Sequence, residues 1–319
     1  MAVPANATQT YAVTGIREDL EDVIYNISPT ETPFFSQAAK MKATQTKHEW
    51  QTDQLAAAAT NQQVEGDDAS ALAITATVRP NNYTQIMSKA ITVSGTASAV
   101  NTAGRKDELA YQIAKRGQEL KRDIEFALTQ NFGASAGSAS GARVLASTES
   151  WLSSNKTHVD SGTTVGFTGG ICSAPVDGTQ VTTLSESLLK AVMSDIWTSG
   201  GEPDFALVGP KAKQRISTFA GIATQYRENS GVKQATILAA AAVYVSDFGE
   251  IRIVPSRFCR DRTVQILQME YWGVAYLRPF QQFEIAKTGD AEKREMLAEL
   301  TLVSKNQAAS GKIAGILVV

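Results

Sequence analysis

The chain has 319 residues, 43% of them hydrophobic and 19% charged, with a formal net charge of −2. These values are typical of a globular protein. The chain does not have the excess of positive charge that is common in proteins that bind nucleic acid tightly. Two cysteines and two histidines exclude a disulfide framework and argue against a zinc site, so we expect reduced thiols and no metal or cofactor. The polar N-terminus carries no signal peptide, and no apolar run approaches the ~18 to 20 residues of a membrane span.

Residues 1–45 are predicted to form an N-terminal arm. The stretch Arg17–Ile27 has apolar residues at helical spacing, and Pro29 ends it because the residue before a proline avoids the helical region. Phe34 and Phe35 follow on a polar background and need a surface against which to bury. Two interpretations stay open: the rings dock on the body of the same chain, or they dock on a neighbouring subunit.

Residues 46–97 have the pattern of an extended hairpin. Thr46–Asp53 and Tyr83–Gly95 alternate β-branched or aromatic residues with polar ones, as strands do, and Leu72–Val78 is a short third candidate. A twenty-residue strand would reach about 65 Å. Because a two-stranded ribbon alone is only marginally stable, we expect this hairpin, with its loose polar tip, to lie on another surface.

Residues 107–131 give the strongest helix signal in the sequence. Asp107 and Glu108 suit the positive end of the helix dipole, and the predicted helix is about 37 Å long. Its apolar face, at a period near 3.6 residues, consists of Leu109, Ile113, Leu120, Ile124, Ala127 and Leu128. The opposite face is heavily charged and consists of Lys115, Arg116, Glu119, Lys121, Arg122, Asp123 and Glu125. This face is either solvated or forms ion pairs between subunits.

Residues 133–182 are rich in Gly, Ser, Ala and Thr, and we expect a surface excursion too polar to build a core, anchored by Trp151. The excursion contains one formal catalytic match, the G-x-S-x-G pattern around Ser135. A hydrolase needs a strand before that serine and a helix after it, whereas here a helix precedes and a Gly/Ser/Ala tract follows. The next histidine, His158, lies in another polar segment. A serine hydrolase is therefore only a remote alternative.

Residues 183–275 are predicted to form a compact α/β unit. Its first helix begins at a capping box, Thr183–Glu186, and ends at Gly200-Gly201. This helix is predicted to bury Leu188, Leu189, Val192, Met193, Ile196 and Trp197. The later predicted elements are a strand at Phe205–Val208, a helix from Pro210 to Phe219, and strands at Ala235–Val245, Ile251–Val254, Val264–Met269, Trp272–Leu277, Phe280–Ala286, Arg294–Ser304 and Ile313–Val319.

An ordered series of short motifs runs through about residues 20–310. The most informative are Ser28-Pro-Thr-Glu-Thr-Pro-Phe34, His48-Glu-Trp-Gln-Thr-Asp53, Val64-Glu-Gly-Asp-Asp68, Asn82-Tyr-Thr-Gln-Ile86, Glu119-Leu-Lys-Arg-Asp-Ile-Glu125, Tyr276-Leu-Arg-Pro-Phe280 and Lys287-Thr-Gly-Asp-Ala-Glu-Lys-Arg294. Together with the order of the predicted segments, this series resembles the major capsid proteins of tailed bacteriophages, which share the Hong Kong 97-type fold. No single motif is decisive; the series is.

The resemblance implies an α+β fold with named parts. These are an N-terminal arm (1–45), an extended loop that lies across a neighbouring subunit (46–97), a peripheral domain (98–182) with its spine helix (107–131), an axial domain at the centre of each pentamer or hexamer (183–275), and C-terminal strands that return to the peripheral domain (276–319). The arm begins almost at Met1, so we expect a separate scaffold or none. Some members crosslink through Lys–Asn bonds, but no motif around Lys47 or Lys89 supports that chemistry here.

The resemblance also implies a structural protein and not an enzyme. It would self-assemble into hexamers and pentamers of an icosahedral or prolate head that encloses double-stranded DNA without reading its sequence. Its partners would be further copies of itself, portal and scaffolding proteins, with decoration proteins as another candidate, and no membrane. We expect it in the virion, after assembly in the bacterial cytoplasm. A phage-like protein nanocompartment that encloses enzymes is the alternative.

Contacts between subunits are expected from aromatic and charged residues on the arm, the loop, the spine helix and a late arginine cluster. The candidates are Phe34, Phe35, Trp50, Asp53, Glu65, Asp67, Asp68, Arg116, Arg122, Arg257, Arg260 and Arg262. For the last three, which lie in one loop without interleaved aromatics, the sequence favours intersubunit pairing or solvation over nucleic-acid binding.

Overall fold

A computed structural model of the chain describes residues 28, 30–66, 68, 74–100, 102, 104, 107–219 and 243–317. The predicted helix Arg17–Ile27, the candidate Asp67 and most of the predicted strand Ala235–Val245 lie outside these residues. The chain is a mixed helix and sheet protein with a four-stranded and a six-stranded sheet. This agrees with the predicted α+β class.

The described helices are α1 (Pro33–Gln37), α2 (Gly95–Ala99), α3 (Glu108–Thr129), α4 (Thr148–Trp151), α5 (Glu186–Thr198) and α6 (Pro210–Ile216). The described strands are β1 (Ala39–Lys42), β2 (Lys47–Glu49), β3 (Asn81–Tyr83), β4 (Gln85–Ser94), β5 (Asn155–His158), β6 (Asp160–Ser161), β7 (Phe167–Thr168), β8 (Ile171–Cys172), β9 (Thr179–Gln180), β10 (Phe205–Val208), β11 (Val243–Ser246), β12 (Gly249–Pro255), β13 (Thr263–Leu267), β14 (Trp272–Ile285), β15 (Ala291–Ser304) and β16 (Gly311–Ala314).

The four-stranded sheet has the order β1-β14-β15-β4. Strands β14 and β15 form a long antiparallel hairpin, β4 pairs antiparallel with β15, and β1 adds in parallel to the first part of β14. The two strands predicted at Trp272–Leu277 and Phe280–Ala286 are one strand, with irregular register on both sides of Arg278. Pro279 explains the irregularity, because proline has no backbone N–H to give to the ladder.

The predicted two-stranded ribbon of residues 46–97 is wrong in its second half. Among the described residues of this segment, only β2 and β3 pair as a ribbon, three residues each, followed by a single bridge between Thr52 and Val78. Strand β4 pairs with β15 instead, because Met87, Ile91 and Val93 alternate along it and become buried only on that sheet, beneath α3. No residue of 74–77 lies in a strand.

The long helix α3 is confirmed almost as predicted. The Asp107 carboxylate caps it by accepting the backbone N–H groups of Leu109 (2.8 Å) and Ala110 (3.2 Å). The C-terminal half of its apolar face, from Leu120 to Leu128, is fully buried. It packs on β4 and β15, so the helix and the four-stranded sheet form two layers around one core.

The excursion of residues 133–182 does build core, which corrects the prediction. Leu145, Ala146, Leu152 and Cys172 are buried with the confirmed anchor Trp151 in the core beneath α3. The polar side chains between them are tolerated because they are hydrogen-bonded: the Thr148 hydroxyl lies 2.6 Å from the Gln265 side-chain oxygen and 3.1 Å from the Leu128 carbonyl. Polar composition therefore did not exclude burial.

The six-stranded sheet has the order β11-β12-β10-β13-β16-β5. It takes β5 from the excursion and β16 from the C-terminal region, so it draws on both sides of the predicted 183–275 unit. One face packs against α5 and α6 around a second core. The other face contributes Phe205, Leu207 and Leu267 to the first core, so the two sheets share it.

Helix α5 departs from its prediction at its start and at one of its apolar residues. It starts at Glu186 with Ser185 as N-cap and no side-chain capping bond, so the capping box at Thr183 is wrong. Its end is confirmed: Gly200 has a φ of +85° and Gly201 donates its N–H to the Ile196 carbonyl, the geometry that favours glycine after a helix. Trp197, predicted to be buried, is 57% exposed.

Candidate assembly surfaces

The extended loop presents apolar side chains that the described part of its own chain leaves exposed. All residues of 53–66 and 74–79 are exposed. Among them Leu55 is 94%, Val64 75% and Ile74 99% exposed. Exposing three large aliphatic side chains on one protruding segment costs solvation free energy, which another surface could recover. This is the feature that most requires a partner.

The base of this loop is fixed by stacked aromatic rings. Trp50 lies 5.3 Å from Trp151 and 5.8 Å from His48, measured between ring centroids, and Trp151 lies 5.1 Å from Phe167. Burial of His48 lowers the pKa of its imidazole. The candidate Trp50 is thus half-buried against its own chain, where it sets the direction in which the loop leaves the body.

The arm docks on the body of the same chain. Phe34 is fully buried and packs edge-to-face on Trp272 at 6.2 Å, and Phe35 packs in the same way on Phe280 at 6.4 Å. Of the two interpretations left open by the sequence, the structure shows the intramolecular one. Both rings are therefore occupied inside the subunit and do not present a surface to a neighbour.

A buried carboxylate of α3 holds this arm. Glu125, fully buried, accepts the backbone N–H of Phe34 (3.0 Å) and of Phe35 (2.7 Å), the first residues of α1. Burial raises the pKa of Glu125 to about 7, although both N–H groups and the nearby Lys40 ammonium oppose the shift. The sequence interpretation placed Glu125 on the charged face. Its position beside Ile124 and one turn before Leu128 and Thr129 was the available signal.

The arginine cluster also works inside the subunit. Arg260 donates hydrogen bonds to the Glu149 carboxylate from Nε (3.0 Å) and Nη2 (2.5 Å). It also donates to the Asp177 carboxylate from Nη1 (2.6 Å) and Nη2 (2.8 Å). Arg262 binds Asp160 at 3.0 Å. The Arg260 hydrogen bonds lower the pKa of Asp177. These two arginines are therefore not simply solvated: they tie the excursion to the six-stranded sheet of their own subunit. Their contact with another subunit stays a prediction.

Of the remaining contact candidates, two are paired or half-buried within their own subunit and four are exposed. Arg116 forms an ion pair with Glu119 on its own helix at 2.5 Å, and Arg122 is half-buried. The exposed candidates are Asp53, Glu65, Asp68 and Arg257. Their contacts with other subunits stay a prediction.

The catalytic motif has no catalytic geometry. Ser135 forms an isolated bridge with Val144 after helix α3, and its Oγ accepts the backbone N–H of Gly137 at 3.3 Å. The ring of His158 contacts the Thr163 carbonyl instead, and burial lowers the pKa of that imidazole. Among the described residues no cluster of three potential metal ligands occurs, and no helix is long and apolar enough to cross a bilayer.

Comparisons with known proteins agree with this architecture. A family model described as SU10 major capsid protein matches residues 4–317. The major capsid protein of Escherichia phage Phieco32 is 27% identical over 340 residues, and the match covers 95% of each chain. Both matches extend over nearly the whole sequence.

Solved structures share the fold at low sequence identity. The capsid asymmetric unit of cyanophage A-1(L) superposes with a TM-score of 0.64 at 14% identity, covering 98% of this chain and 99% of that chain. The holo-SrpI encapsulin complex of Synechococcus elongatus PCC 7942 gives 0.54 at 11% identity, covering 98% and 97%. These likenesses confirm the predicted Hong Kong 97-like fold.

Proposed function

Because this chain belongs to the SU10 major capsid protein family, whose members are structural and not enzymatic, we propose that it builds the hexamers and pentamers of an icosahedral or prolate phage head. The protein is a component of the virion shell. The observation that carries the finer proposal is the extended loop, where Leu55, Val64 and Ile74 are exposed on a segment that no described part of the chain covers.

In this proposal the loop lies across the next subunit. Its apolar side chains leave water there, and its extended backbone gains hydrogen-bond partners. Each contact is small, but every subunit both gives a loop and receives one, so the contacts act together. A net charge of −2 keeps repulsion low when many copies pack side by side.

We assign the two sheets, each with the helices that pack on it, to the two domains of a capsid subunit. The four-stranded sheet with α3 would be the peripheral domain, and the six-stranded sheet with α5 and α6 the axial domain around the centre of each capsomer. Both sheets cross the boundaries proposed from the sequence. Strands β5 and β16 belong to the six-stranded sheet, and β1, β4 and the first residues of β14 belong to the four-stranded sheet.

The head would enclose double-stranded DNA without sequence-specific contacts. The near-neutral charge and the use of Arg260 and Arg262 in internal ion pairs support containment in place of tight binding. Its partners would be a portal, a scaffolding protein and, as a further candidate, a decoration protein, and assembly would occur in the bacterial cytoplasm.

A nanocompartment that encloses enzymes is the second candidate, favoured by the shared fold of the encapsulin. At 11% identity that likeness concerns the fold alone. Family membership favours the DNA container. Particles purified from infected cells would distinguish the two: nuclease-protected double-stranded DNA supports a head, and a protein cargo without DNA supports a compartment.

The loop is tested by substitution at its apolar positions. Leu55→Asp combined with Val64→Asp should leave the subunit folded by circular dichroism, since both side chains are exposed, but should stop shell formation seen by electron microscopy with scaffold present. Gln62→Asp, an exposed polar position of the same loop, is the matched control and should form shells. Normal shells from the double variant would overturn the role given to the loop.

A further inference from the structure

The extended loop contains a segment with the sequence of a β-strand that lies in no strand of its own subunit. Residues 74–78 read Ile-Thr-Ala-Thr-Val, four β-branched residues out of five, a composition that favours strands. Of these residues only Val78 takes part in a bridge, and all five side chains are exposed. The described part of the subunit therefore leaves this strand-forming sequence without a sheet.

One edge of this segment is used and the other is free. Val78 exchanges two backbone hydrogen bonds with Thr52, both of 2.9 Å. Along an extended chain the backbone N–H and C=O groups of successive residues point to opposite sides, so those of Thr75 and Thr77 point away from Thr52. Among the described residues, none forms a backbone hydrogen bond with either threonine. The segment can therefore give two N–H donors and two C=O acceptors to another chain.

The four-stranded sheet has an open edge of similar length. Strand β1 pairs with β14 over Gly273–Tyr276, so residues 280–285 have β15 on one side and no described strand on the other. These six residues read Phe-Gln-Gln-Phe-Glu-Ile, and all of them except Ile285 are exposed. Outer strands are usually protected by charges such as lysine or by proline, and these six residues include neither lysine nor proline. The edge is therefore a place at which another strand can pair.

The second outer strand of the same sheet is better protected. Strand β4 carries Lys89 near its middle, where the ammonium pairs with Asp123 of α3 at 2.6 Å. The end of β4 leads directly into α2, which contacts the strand. A lysine on an outer strand discourages the addition of another strand. The edge of β14 is therefore the better acceptor.

We propose that residues 74–78 of one subunit pair as an added strand with residues 280–285 of β14 in a second copy. This inference rests on the proposed capsid function, because it names the surface on which the extended loop lies. The outward backbone groups of Thr75 and Thr77 find partners on those residues of β14 whose N–H and C=O groups point away from β15. The pairing joins two subunits without a change in the core of either.

The side chains of the two segments are compatible with this pairing. Alternate side chains of a strand share a face, so the apolar Ile74, Ala76 and Val78 lie together. Phe283 and Ile285 share a face of β14 for the same reason, and Phe283 is 44% exposed. Placing the two apolar rows on the same face of the enlarged sheet removes both from water. The pairing thereby covers Ile74, which is 99% exposed in the single subunit.

Cysteine crosslinking in assembled shells tests the pairing, and the two native thiols do not interfere because both are buried. Thr77→Cys is combined in turn with a cysteine at each position from 280 to 285, because a disulfide forms only between Cα atoms about 4.4 to 6.8 Å apart. At least one of these pairs should give covalent dimers and longer multimers on non-reducing gels. If no pair links, or if a pair links only within one subunit, the proposal is wrong.

Three control variants identify the other places to which the segment or the edge could bind. Thr77→Cys with Gln214→Cys, an exposed position on α6, should stay monomeric on the gel. Thr77→Cys with Ser88→Cys reports pairing with β4, and Gln282→Cys alone reports pairing of two β14 edges with each other. Multimers from any of these variants in place of the expected pairs would overturn the assignment to β14.

Proline substitution tests the backbone hydrogen bonds. Thr75→Pro with Thr77→Pro removes both outward N–H donors, and the subunit should still fold because residues 74–77 lie in no strand there. The subunit concentration needed for shell formation should rise about tenfold. Thr75→Ala with Thr77→Ala loses the same side chains but keeps the donors, so it should assemble as the wild type does.

Assembly of the proline variant at the wild-type concentration would contradict the pairing. Its failure can be told apart from failure of the proposed function. If the wild-type chain forms shells in which no pair links, the strand pairing alone is wrong. If the wild-type chain forms no shells with scaffold present, the capsid role itself fails, and the pairing that rests on it falls as well.

Discussion

Replacement of Arg260 by leucine should be among the most destabilising single changes in the six-stranded unit. Its partner Glu149 has a side chain that is 2% exposed, and the arginine itself is 19% exposed. Removing one member of such a pair leaves a buried charge, which costs about 3 to 5 kcal/mol. The Thr263 hydroxyl would still donate a 3.0 Å hydrogen bond to Glu149. We therefore expect the loss of unfolding free energy to lie at the lower end of this range, about 3 kcal/mol.

Urea unfolding of the unassembled subunit measures this loss of free energy. The matched control is Arg294→Leu, which breaks a 3.0 Å ion pair with the largely exposed Glu284 and should cost about 0 to 1 kcal/mol. Adding Glu149→Leu to Arg260→Leu should recover part of the lost unfolding free energy, because the unpaired buried carboxylate is then removed as well. If Arg260→Leu is no more destabilising than the control, the assignment of this pair as a structural tie is wrong.

Three further results are expected from the same subunit. Phe34→Ala should cost about 3 to 5 kcal/mol of unfolding free energy because it leaves a cavity in a fully buried site. Gly315→Ala should destabilise clearly more than Gly200→Ala in urea titration: both glycines have positive φ, but a methyl group at Gly315 would also meet a buried carboxylate, whereas Gly200 faces open space. Cys172 and Cys259 should resist maleimide labelling at pH 7 until urea unfolds the chain, since burial raises the pKa of both thiols; fast labelling of the folded chain would contradict their burial.

Elements with a strong local period could be predicted from the sequence. Helix α3 was located to within two residues at each end because its apolar stripe and its Asp107 cap are local signals. Strand β4 was also located, but its partner was not. Alternation shows which side chains of a strand are buried, not which strand lies beside it, and β15 is about 200 residues further along the chain.

Buried ion pairs and hydrogen bonds between distant parts of the chain were the features of the structure that could be predicted least well from the sequence. Glu149 and Arg260 are 111 positions apart, and neither carries a local sign of its partner. Glu125 was assigned to the charged face of the helix because charged residues are seldom buried, although it borders the apolar stripe of α3. Trp197 was assigned to the core because large aromatics usually are buried, yet it lies at the C-terminal end of α5 against Phe248.

The position of β16 has a consequence for how the subunit is made. This strand, from the C-terminal region, lies between β13 and β5 inside the six-stranded sheet. Chains are synthesised from the N-terminus, so β5 waits for more than 150 further residues before its neighbour exists. Until residues 311–314 have been synthesised, β13 and β5 lack the strand that lies between them, so the six-stranded sheet can be completed only late in synthesis.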